Sequence, residues 1–106
     1  MIIPEWKRIL EGKEKFQDAE VESIANTIMK KMEESTDSLE IIELNNDLER
    51  IMGRGEWMTR SIQKLDRRRK EEPLFPDELD RLNEKIPKLQ AERDNLIAKY
   101  KEKYGL

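Results

Sequence analysis

A chain of 106 residues that is 42% charged and 36% hydrophobic is long enough for one domain and too polar for a deep core. It contains neither cysteine nor histidine, which removes disulfides, thiolate metal sites, thiol nucleophiles and imidazole bases. The net charge is −3, but its sign is segregated. Residues 1–49 carry 6 basic and 13 acidic side chains, residues 50–70 carry 8 and 2, and residues 71–106 carry 7 and 9. One basic zone therefore interrupts an acidic chain.

Taken in order, residues 4–11 read as a short helix, with Pro4 at its first position and Gly12 at its stop. Ile2, Ile3, Trp6, Ile9 and Leu10 give it an apolar side. A polar linker at 13–17, interrupted by Phe16, leads to a helix over 18–34 with Asp18 as N-cap. Its stripe of Val21, Ile24, Ala25, Ile28, Met29 and Met32 follows the i, i+3, i+4, i+7 rule. A long helix follows over 38–70, opened by a capping box of Asp37 and Glu40 and softened at Gly53 and Gly55. Pro73 and Pro76 frame a turn containing Leu74 and Phe75, and a last helix covers 76–103 with a kink expected at Pro87. The chain divides into an N-terminal anchor helix and linker, 1–17, and a core with a protruding arm, 18–106.

The two long helices carry matching seams. Ile41, Leu44, Leu48, Ile51, Gly55, Met58, Ile62 and Leu65 step alternately by three and four residues, as do Leu79, Leu82, Ile86, Leu89, Arg93, Leu96, Tyr100 and Tyr104. Folding at the prolines pairs Leu65 with Leu82, Ile62 with Ile86, Met58 with Leu89, Gly55 with Arg93, Ile51 with Leu96 and Leu48 with Tyr100. The expected fold is all-α: an antiparallel coiled-coil-like hairpin with a shorter third helix along its open end, where it meets Leu39, Ile42, Met52 and Ile97. Gly55 and Arg93 form a polar core rung, the missing side chain admitting the arginine stem, with Glu56 or Glu92 as partners for its head.

No stretch reaches the length of a membrane span and the N-terminus lacks a signal-peptide pattern, so a cytoplasmic protein without membrane contact is expected. Four serines lack a recognisable base, so no enzyme, cofactor or small-molecule substrate is expected. Glu33, Glu34, Glu40 and Glu43 resemble the Glu-rich motifs of all-α nucleotide pyrophosphohydrolases, but Asn46 stands where the second acidic residue is needed, and no residue is carried over.

What remains is surface. The leading reading is a protein–protein interaction module: an adaptor, assembly factor or small inhibitor, virus-encoded ones included. It self-associates or binds a partner through Trp6, Ile9, Leu10, Trp57, Leu74 and Phe75. The alternative is a nucleic-acid-binding accessory protein. There Arg50, Arg54, Arg60, Lys64, Arg67, Arg68, Arg69 and Lys70 would meet phosphates and Trp57 would stack on a base. A sequence pI near 5.2 weighs against that alternative.

Overall fold

The computed structural model describes residues 5–106, with side chains from Trp6 onward; Ile2, Ile3 and Pro4, assigned above to the first helix, lie outside them. The described residues are helical with short connections: α1 (Glu5–Leu10), α2 (Ala19–Glu34), α3 (Ser38–Arg50), a π-helical segment (Ile51–Glu56), α4 (Trp57–Glu71) and α5 (Pro76–Tyr104). They form a rod of 56 × 31 × 21 Å. No helix among them is long and apolar enough to cross a membrane.

The boundaries follow local chemistry. The Asp18 carboxylate caps α2 by accepting from the Glu20 and Val21 amides, and Asp37 caps α3 through Leu39 N–H. The expected capping box does not close: Glu40 accepts from the Ser35 hydroxyl, and Ser35 itself takes the Asp37 amide. Pro76 opens α5, where its missing donor costs nothing. Gly105, at φ +70°, ends α5 in the left-handed conformation that lacks a penalty only for glycine. Pro87 lies within an uninterrupted α5.

The middle of the long helix is neither broken nor regular. From Ile51 to Glu56 the backbone widens to the π form while the residues at both its junctions stay right-handed helical. Gly55 explains the need for a small residue. A Cβ there would lie 2.8 Å from Val21 Cγ2. The space predicted for the Arg93 stem is therefore filled by α2. Gly53 instead carries the Trp6 ring, 3.9 Å from where its Cβ would be. These two glycines should respond oppositely to alanine. Gly53→Ala should be neutral or stabilise by up to about 1 kcal/mol, the usual helical gain over glycine. Gly55→Ala should destabilise by about 1–3 kcal/mol, because Val21 is β-branched, fully buried and has nowhere to go. Urea melts of the two variants check the signs.

The core sits at the open end of the hairpin. Val21, Ile24, Ala25 and Ile28 of α2 are fully buried against Leu44, Leu48, Ile51, Met52, Ile97 and Tyr100. Met52 and Ile97 thus meet α2 as expected. Leu39 and Ile42 do not, and stand 73% and 56% exposed. Their positions on α3 are out of phase with Leu44, Leu48 and Ile51, the residues α2 covers. Among the described residues, α4 and α5 alone continue beyond α2, packed directly on each other. There Met58 and Leu82 are buried while Ile62, Leu65, Ile86 and Leu89 are only half-buried. Arg54 of the π-helical segment to Glu92 (3.9 Å) and Arg68 of α4 to Glu78 (3.1 Å) tie the two sides of the hairpin together.

Candidate interaction surfaces

The linker at 13–18 is pinned rather than free. The Glu56 carboxylate, 1% exposed, accepts from the backbone N–H of Gln17 (3.0 Å) and Asp18 (2.8 Å). Arg60 donates to the same carboxylate at 3.1 Å, to the Lys15 carbonyl at 3.0 Å, and pairs with Glu14 at 3.2 Å. Beside it Arg93 grips Asp18 with two hydrogen bonds, Nε to Oδ2 at 2.9 Å and Nη2 to Oδ1 at 2.8 Å. It also reaches Glu20 at 3.0 Å and Asp94 at 3.0 Å. Thr59 donates its hydroxyl to Asp18, and Lys101 pairs with Glu20. The partners of Arg93 are thus Asp18, Glu20 and Asp94, not Glu56 or Glu92. Pairing α2's own cap residue with α5 was invisible in a register argument that considered only the two seams.

Each charge in this clamp has its complement, which marks it as structural. Burial pushes the Asp18 carboxyl up, but hydrogen bonds from Arg93, Thr59 and the Val21 amide outweigh it and hold it below the usual carboxylate range. Lys101 and Arg93 lower Glu20. Burial likewise raises Asp47, and bonds from Lys103 and Tyr104 more than reverse it. Carboxyls lowered by folding stabilise above their unfolded values, 3.8 for the aspartates and 4.5 for Glu20, and that stability is lost as pH falls through the depressed folded values. Urea stability should therefore be flat between about pH 5 and 7 and drop below about pH 4, with Asp47→Asn flattening part of the drop. Tyr104 behaves oppositely: burial and its bond to Asp47 raise its pKa above the ordinary 10.0, so its contribution is lost in alkali.

The sequence-predicted basic set scatters. Arg60 is spent inside the clamp. Arg69 and Lys70 pair with Asp66, Arg68 bridges Glu72 and Glu78, and Arg54 meets Glu92. Arg50, Lys64 and Arg67 are exposed, with no carboxylate within ion-pair distance among the described residues.

The predicted apolar contacts also divide. Ile9 is buried in the common core and Trp6 packs against it, so α1 docks on its own chain over the π-helical segment. Ile9 is enclosed by its own chain, and Trp6 is half-buried there. The signal for this was Gly53, a residue without a side chain two positions from another glycine. Leu10 remains partly exposed, Leu74 is half-buried, and Trp57 and Phe75 stand 55% and 75% exposed.

Among the described residues, no three acidic side chains converge as a metal site would require. A shallow cleft of about 420 Å³ borders the clamp, lined by Gln17, Gln63, Gln90 and Ile62 among others. Comparison with known protein families, curated proteins and solved structures finds no match.

Proposed function

We propose that the chain is a non-enzymatic protein–protein interaction module, an adaptor, assembly factor or small inhibitor, in which the α2-covered base holds the fold and the hairpin engages a partner or a second copy. One observation carries this reading: large apolar side chains lie bare among the described residues at two places, Phe75 at the hairpin tip and Leu39 with Ile42 on the outer face of α3. Such side chains exposed singly are common, but a neighbouring pair on one helix face and a phenylalanine between two prolines form sites a partner can bury.

Site-specific photo-crosslinkers at Phe75, at Ile42 and at the control position Glu102 test the proposal in the cell of origin. Discrete adducts from the first two and none from the third are expected. Equal diffuse labelling at all three positions contradicts it. Light scattering on the purified protein tells a second copy from a foreign partner.

A further inference from the structure

The basic segment at 50–70 places its cations on one continuous helix, but the arm has two. The ion pair of Arg68 with Glu78 fixes how α4 and α5 face each other along one flank of the arm. From that pair, residues at three- and four-residue spacing follow on both helices. On α4 they are Lys64, Ser61 and Trp57. On α5 they are Arg81, Lys85 and Lys88, ending at Glu92, which Arg54 meets. Arg68, Glu78, Arg81 and Lys85 line one groove whose floor is Leu65 and Leu82.

Lys64, Arg81, Lys85 and Lys88 are exposed, and none lies within ion-pair distance of a carboxylate among the described residues. Four cations thus concentrate on one flank, while Arg69 and Lys70 are neutralised by Asp66 elsewhere on α4. Trp57 closes the strip with more than half its surface bare. The overall charge of −3 does not oppose this, because most of the acidic excess, a net of −7, belongs to residues 1–49, most of which form the base, against a net of −2 over residues 71–106.

We infer that this flank binds the backbone of single-stranded nucleic acid, with Lys64, Arg81, Lys85 and Lys88 meeting successive phosphates and Trp57 stacking on a base. The cations of α5 recur about every 5 Å along the helix and the strip is about 20 Å long, room for a few nucleotides. An aromatic ring beside a one-sided row of cations is the arrangement that suits unpaired bases. In a duplex the bases are stacked inside, out of reach of a side chain on a flat flank. This inference is independent of the apolar sites at Phe75 and Ile42.

Fluorescence anisotropy with labelled oligo-dT, at salt concentrations from 50 to 200 mM, tests it. Four phosphate contacts on a single strand predict a log–log salt slope of about −3. Lys85→Gln with Lys88→Gln should halve that slope and weaken binding at least tenfold at 50 mM salt. The pair Arg69→Gln with Lys70→Gln should change neither by more than twofold. In a Trp6→Phe background, emission from Trp57 should be quenched on binding. Circular dichroism establishes that each variant is folded. The inference is overturned if no binding occurs below 100 µM, if the two double variants weaken binding equally, or if duplex DNA or poly-glutamate binds as tightly as oligo-dT.

Discussion

Replacing Arg93 with methionine should destabilise the protein by about 3–5 kcal/mol, the cost of leaving a buried carboxylate without its cation. Asp18 is 4% exposed at its side chain and takes two of its hydrogen bonds from Arg93. Methionine keeps most of the stem volume, so the loss reports the charge rather than a cavity. The effect is large against the 5–15 kcal/mol available to an ordinary domain. Asp18→Asn in the methionine background should recover part of it, because the amide can still cap α2 without a stranded charge. Chemical denaturation of the single and double variants measures both, and a loss below 1 kcal/mol in the single variant would show the clamp to be peripheral.

Glu56→Ala should cost about 2–4 kcal/mol, because it orphans the Gln17 and Asp18 amides and removes a partner of Arg60. Its signature should be local as well as global. Without Glu56 the Gln17 amide loses its acceptor and Arg60, which also holds the Lys15 carbonyl and Glu14, loses an anchor, so the 13–18 linker should become sensitive to limited proteolysis before the rest of the chain. Glu56→Gln retains one acceptor and should lose roughly half as much. Equal losses from both substitutions, with the linker still protected, would mean that Phe16 packing rather than the carboxylate fixes the linker.

Much of the architecture was legible in the heptad spacing, because a helix repeats its environment every three to four residues and the chain obeys that repeat on both long helices. The caps at Asp18 and Asp37 were legible for the same local reason. What the spacing could not convey was how a third element enters. The missing side chain at Gly55 admits Val21 of α2, and Arg93 meets the cap of α2 instead of a seam rung. The polar linker leaves open whether the N-terminal helix docks on its own chain, a second copy or a foreign partner; backbone amides at Gln17 and Asp18 are the donors Glu56 requires, and they draw the helix onto its own chain. Residue type alone also placed all eight basic side chains of 50–70 on one candidate surface, whereas Asp66 and Glu56 remove three of them. The basic residues of α5 passed unnoticed because acidic neighbours, Asp77, Glu78, Asp80 and Glu84, mask them in a linear count.

The molecule has a division of labour: a core packed between α2, α3 and α5 holds the fold, while the two-helix arm and the outer face of α3 leave surface for something else. Amide hydrogen exchange, resolved by residue and run at two protein concentrations, tests it most directly. The amides of Ile24, Ile28, Ile97 and Tyr100 should be the slowest to exchange, and those between Leu65 and Ile86 should exchange distinctly faster at low concentration. If the partner is a second copy, added protein should slow exchange around Phe75 or Ile42. Uniform protection along the rod, or an arm more protected than the base in the dilute sample, would contradict the account.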